Sequence, residues 1–331
     1  MSFLATVAAL LCAALPALGV GWLIAFVASR LTPRVAAATA RATPERRHRA
    51  FVALAMAPSI LALATFTAAL LPPLVSLFVP AFDHCLEHDD HHFHLCFRHM
   101  PSALTSGLAQ GVALGSVVLG SVALLRASMR ARRRARAWRS LLLTSRYEPL
   151  LGAHVVALTT PLAFTAGLWR PRVFLSRALV HDADAETLAI VLAHEHAHAR
   201  RRDVLVAAVA AWGLRLFGRR TRARLQAELA LSAERAADEC AAHASGDRLA
   251  VAAAIIRVAQ HVGAAPQLGV ARANFGAGHI DARVAALMAP PATVTGRAVA
   301  LAVLGATALG LLVAAGPLHH LIESLVGRFV R

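Results

Sequence analysis

One short stretch brings together side chains able to do chemistry: His194-Glu195-His196-Ala197-His198, entered from the apolar-rich run 187–193. In a helix, His194 and His198 stand one turn apart on one face and can both reach a single metal ion. Glu195 follows about 100° round the axis, near enough to take a proton from a water held by that ion. Two histidines do not complete a zinc site, which takes a third protein ligand and leaves a fourth position to water. The segment LSAERAADECAA, downstream, offers it. Glu234 and Asp238 are four apart on Ala- and Leu-rich sequence and share a helical face. Glu234 completes a His/His/Glu set for Zn2+, and Asp238 can hydrogen-bond the outer nitrogen of a ligating histidine, fixing its tautomer. Spacing does not identify the group that would stabilise an oxyanion. Arg235 and His243 lie near, and each reads equally well as a solvated helix residue. Cys240 reads as a small packing residue.

These side chains need rigid elements beneath them. Asp182 or Asp184 can cap the helix that carries the histidines, and Arg200, Arg201 and Arg202 close it where cations favour the helix dipole. Asp203 is expected to cap the helix that follows. Residues 204–214 are apolar but too few to span a bilayer, so they form a core or membrane-surface helix. Further helices are expected over 222–243 and 248–262, then a turn-rich stretch over 264–278 and a short amphipathic piece over 279–288. Ahead of the motif the pattern changes. HVVAL, LAFTAGL and RVFLS, broken by Pro161, Gly167 and Pro171, read as two or three short strands.

The rest of the chain points to a membrane. Of 331 residues, 58% are hydrophobic, and the formal charge of +16 comes from arginine alone. Soluble domains usually reach about 45–50% apolar. The arginines stand beside apolar runs, which indicates topology and membrane lipid rather than direct nucleic-acid binding. Four cysteines, Cys12, Cys85, Cys96 and Cys240, without a CxxC spacing argue against a zinc ribbon or a thioredoxin-like motif. The expected fold is mainly α and membrane-integral: four transmembrane helices with a cytoplasmic α+β domain between the third and fourth. The spans are 1–28, 51–82, 102–125 and 298–318. A basic loop at 29–50 and the domain at 126–297 are cytoplasmic, the latter opening with seven arginines in 126–139. The loop at 83–101 and the short tail at 319–331 are periplasmic. Prolines 58, 72, 73 and 80 are expected to kink or end the second span. Gly107, Gly111 and Gly115 form a small-residue stripe suited to close helix packing in the third.

Together these residues resemble the BlaR/MecR-type family of integral-membrane zinc metallopeptidases, the antirepressors of β-lactam sensing. The likeness covers three spans, short strands before HExxH, Asp203 after it, the Glu234–Asp238 pair, the GLWRPRVFLS and DARVAALM stretches, and a last span. The resemblance implies a gluzincin fold in the bacterial inner membrane with a cytoplasmic active site. His194, His198 and Glu234 would be ligands and Glu195 the catalytic base. His196 stands where the family has an aliphatic residue. No penicillin-binding domain follows the last span, so β-lactam acylation is not the signal through that route. HtpX-like membrane proteases share HExxH and a later Glu, but usually place two spans before the motif and two after. Three classes follow: a signalling protease acting on a repressor, such as a winged-helix protein; a quality-control protease; and a non-catalytic receptor. The intact HExxH-plus-Glu set argues against the last.

The loop at 83–101 is the expected input. It holds His84, His88, His91, His92, His94 and His99 among four acidic residues, a mixture suited to zinc, copper or nickel. Cys85 and Cys96 lie on the oxidising side, where a disulfide closing the loop is favoured over thiolate ligation. The alternative is a solvated, disulfide-pinned loop.

Overall fold

The computed structural model describes residues 3–79, 107–263, 279–290 and 299–330. The histidine loop, with Cys85 and Cys96, lies outside the described residues. In chain order come α1 (Phe3–Ala38), α2 (Pro44–Phe78) and α3 (Gly107–Thr144). Four strands follow: β1 (Ser145–Glu148), β2 (Ala153–Val156), β3 (Ala163–Ala166) and β4 (Arg172–Ser176). After them come α4 (Arg177–Asp182), α5 (Ala185–Arg201), α6 (Asp203–Gly213) and α7 (Arg219–Ser245). The chain continues with α8 (Arg248–Gly263), α9 (Ile280–Met288), α10 (Val299–Val313) and α11 (Ala315–Val330).

The chain divides into two compact units. The first comprises 1–30, 56–132 and 299–331. Helices α1, α2 and α3 are each long and apolar enough to cross a membrane. At 38 residues, α3 extends ~57 Å, far beyond the ~30 Å of a hydrocarbon core, so the arginine run 126–139 continues the same helix instead of opening a loop. The glycine stripe is not a packing seam here: among the described residues nothing lies within 4 Å of where a Cβ would sit on Gly107, Gly111 or Gly115. The small core of this unit joins Ala8, Ala9 and Ala13 of α1, Ala69 and Leu70 of α2, Ala113 of α3 and Ile322 of α11. The last span departs from expectation. The chain bends by 72° between α10 and α11, giving a broken span or a re-entrant pair. Gly316-Pro317 accounts for it, because Pro317 has no N–H to offer the Val313 carbonyl.

The second unit comprises 31–55 and 133–298. Its sheet has the order β1-β2-β4-β3, with β1–β2 and β3–β4 antiparallel and β2–β4 parallel. The first strand was not expected, since SRYE lacks the alternating apolar pattern that marks a half-buried strand. The return from β3 to β4 needs Gly167. Its φ is +108°, and a Cβ there would stand 2.5 Å from the Arg170 carbonyl oxygen.

Helix α5 lies between two apolar clusters. Val191 packs with Ala153, Val173 and Leu175 of the sheet. Ile190 packs with Ala241 of α7, Val251 of α8 and Leu287 of α9. Asp184 caps α5, its carboxylate accepting from the Thr187 N–H at 2.7 Å. Arg202, at φ +53°, ends it in the left-handed conformation, and α6 begins at once. Asp203 does not cap α6 with its side chain. Its carboxylate is used elsewhere.

Candidate metal centre

Three elements, α7, α9 and β3, bring side chains to α5. The helix itself supplies His194, Glu195 and His198; α7 supplies Glu234 and Asp238; α9 supplies Arg283; β3 supplies Thr165. His194 Nε2 and His198 Nε2 lie 3.1 Å apart. Glu234 brings Oε2 to 3.5 Å from the first and Oε1 to 3.6 Å from the second. Ligand atoms held ~2.0–2.2 Å from a tetrahedral zinc ion stand ~3.3–3.6 Å from one another. The three side chains therefore have nearly the separations of a zinc ligand set, with all ligand atoms within 4.8 Å.

Both outer nitrogens are engaged. His194 Nδ1 stands 3.0 Å from Asp238 Oδ1, and His198 Nδ1 stands 2.7 Å from Asp203 Oδ2. With the proton on Nδ1, each imidazole turns its Nε2 lone pair to the centre. The cap position itself falls on Arg202, so Asp203 stands in the first turn of α6 with its carboxylate free to take the ring N–H.

Arg283 is the residue that local sequence signals missed. It is 3% exposed and clasps Asp238 through two bonds, Nε to Oδ2 at 2.8 Å and Nη2 to Oδ1 at 2.6 Å. Its Nη1 lies 3.0 Å from Glu234 Oε2, close enough for attraction but out of line for a hydrogen bond, so that buried oxygen has no hydrogen-bond partner. A buried carboxylate oxygen without a hydrogen bond, on a carboxylate that faces two imidazole nitrogens, fits a cation. The electrostatics agree. Burial opposes charge on His194, but Asp238 and Glu234 outweigh it and hold the imidazolium up to about 10. Burial would raise Asp238 and Glu234. Arg283 and then His194 hold Asp238 well below the usual carboxylate range, while His194, Arg283 and His198 lower Glu234. The site attracts positive charge, whether as a proton or as a metal ion.

Glu195 is 3% exposed, and the Thr165 hydroxyl stands 2.8 Å from both its Oε2 and its backbone oxygen. One hydroxyl proton shared in this way fixes the carboxylate's rotamer. Thr165→Val keeps the side chain's shape and removes that restraint, and is expected to lower kcat about tenfold with little change in KM. Steady-state kinetics on zinc-loaded protein reads this, and an unchanged kcat would count against the restraint.

Other predicted residues lie elsewhere. Arg235 donates from Nη2 to the Ala282 carbonyl at 2.8 Å, tying α7 to α9. His243 is exposed in the last turn of α7. Cys240 is a half-buried free thiol. His196 packs over Gly152, its Nε2 3.5 Å from where a Cβ would be. The segment 31–55 also reaches α7 within this unit. Arg47 pairs with Glu228 at 2.8 Å, and His48 Nδ1 meets the Ser232 hydroxyl at 3.1 Å, two residues before Glu234. Burial, then the Arg201 charge, lowers the His48 pKa and keeps the ring neutral.

Residues 128–293, just over half of the chain, match the family model described as Peptidase family M48. No curated protein and no solved structure matches.

Proposed function

The chain belongs to peptidase family M48, a family of zinc metallopeptidases, and from that premise we propose that it is a membrane-embedded zinc endopeptidase. It cleaves protein substrates at the cytoplasmic face of the bacterial inner membrane. The observation that carries this reading is the His194, His198 and Glu234 group, with both histidines backed by carboxylates. Zinc, when bound by these three, supplies a Lewis acid that polarises a scissile carbonyl and makes water acidic. Glu195 takes the proton from the attacking water and delivers it to the leaving amine. Thr165 holds Glu195 in line for both transfers. Among the described residues β3 pairs only with β4, leaving its outer edge to take a substrate segment as an added strand beside Glu195.

The leading role is signalling, by cutting a repressor in the manner of the BlaR/MecR-type proteins. Three long apolar helices before the motif support it. Quality control of membrane proteins, as in HtpX-like proteases, is the second reading. The bent α10–α11 pair favours it, because it brings two apolar segments after the motif instead of one.

Mapping of new protein termini in cells carrying wild type or Glu195→Gln tests both. A few cuts in one soluble regulator support signalling, and many cuts in damaged membrane proteins support quality control. Cuts confined to periplasmic segments would overturn the cytoplasmic placement.

A further inference from the structure

Residues 31–55 stand well ahead of the stretch 128–293 that matches the peptidase family, yet they belong to the same compact unit as the metal centre. They are the end of α1 and the start of α2. Their contacts with α7 fall on the two turns just before Glu234.

Arg47 ties three elements together. Its Nη1 donates at 3.0 Å to the carbonyl of Ala36, in the last turn of α1, where a helix leaves carbonyls without partners of its own. Its Nη2 donates at 2.8 Å to Glu228 Oε2 on α7. The guanidinium also lies 5.3 Å from the ring centre of the fully buried Phe51.

His48 is 9% exposed. The Ser232 hydroxyl donates to the Leu229 carbonyl at 3.1 Å, so its oxygen is left to accept from His48 Nδ1 at 3.1 Å. The neutral ring then carries a lone pair on Nε2. That nitrogen is buried with no hydrogen-bond partner among the described residues, and the same is true of Arg201 Nη1, which can only donate. Arg201, Asp203 and His198 all act electrostatically on the His48 ring, Arg201 most strongly. Arg201 in turn brings Nε to 3.5 Å from Asp203 Oδ1, and the other oxygen of that carboxylate holds His198.

We propose that His48 is a positioning residue of the metal centre, holding the α7 turn before Glu234 through Ser232 and the Asp203 support of His198 through one buried water on Arg201. The water donates to His48 Nε2 and accepts from Arg201 Nη1, which satisfies both buried atoms. Arg47 fastens the same stretch of α7 at Glu228. Two of the three ligands thus take their placement from one imidazole outside the family-matched region. Because that imidazole sits where α1 ends and α2 begins, a shift of either helix end is passed to the ligand spacing. The inference rests on the zinc assignment made above.

The test is metal binding by the full chain in lipid nanodiscs, read by zinc competition against a chelator and by the visible absorption of the cobalt(II)-loaded protein. His48→Leu keeps most of the ring's bulk and removes both nitrogens. It should weaken zinc binding about tenfold and change the position and intensity of the cobalt bands, which report ligand geometry and not stability. Should His48→Leu not fold, Ser232→Ala removes only the accepting oxygen and should give the same kind of spectral change. A wild-type cobalt spectrum in the folded variant would overturn the proposal, whether or not affinity had fallen, because a purely structural loss leaves the ligand geometry alone. Wild-type protein that takes up neither zinc nor cobalt would overturn the zinc assignment, and this proposal with it.

Discussion

Glu195→Gln should lower peptide-bond cleavage by about 10²–10⁴-fold while the protein still binds about one zinc per chain. The substitution keeps the side chain's volume and its bond to Thr165, and removes only the ability to accept a proton. The three ligand side chains are untouched. His198→Ala and Glu234→Ala separate the roles, since each should lose the metal and the activity together. Zinc content measured beside turnover on one preparation decides it. A Glu195→Gln enzyme that cleaves at the wild-type rate would remove Glu195 from the role of base.

The second large effect is expected at Arg283, in the DARVAALM helix, where spacing assigns the arginine no role. Arg283→Leu leaves the Asp238 carboxylate buried with no cation to replace the guanidinium, a loss of about 3–5 kcal/mol for a broken buried pair. Asp238 then ceases to hold His194 in its tautomer, and zinc affinity should fall about 10–100-fold. Arg283→Lys should rescue little, because one ammonium cannot make the two parallel bonds to Asp238 and still face Glu234. Thermal unfolding and metal titration read the two consequences separately. A variant with wild-type melting and wild-type zinc affinity would show that the clasp is dispensable.

Arg283 also marks where sequence reasoning stops. The pairs His194/His198 and Glu234/Asp238 were legible because each lies within one turn of one helix, so spacing alone sets their geometry. Asp184 was legible as a cap for the same reason. Arg283, Thr165 and His48 act on side chains far away in the chain, through contacts that only folding creates. A threonine in a strand and an arginine in an amphipathic helix carry no local mark of such a role. Asp203 shows the converse. Its position at a helix start argued for a cap, but the cap position falls on Arg202 and the Asp203 carboxylate meets His198 instead. The final bend was not read from the sequence: the 298–318 span rested on apolar length, and Gly316-Pro317 near its end went unweighed. The bend came from one missing N–H, which hydropathy does not register.

The two-sided burial of α5 has an energetic consequence for metal capture. With Val191 packed on the sheet and Ile190 packed on the helices, the backbone under both histidines is immobilised by folding itself. The ordering entropy of that element is spent before any ion arrives, so less of the coordination free energy is consumed in arranging ligands. The centre is thus built as a preorganised chelate. Its selectivity among ions then rests on how well each accepts a ligand spacing the protein has already set.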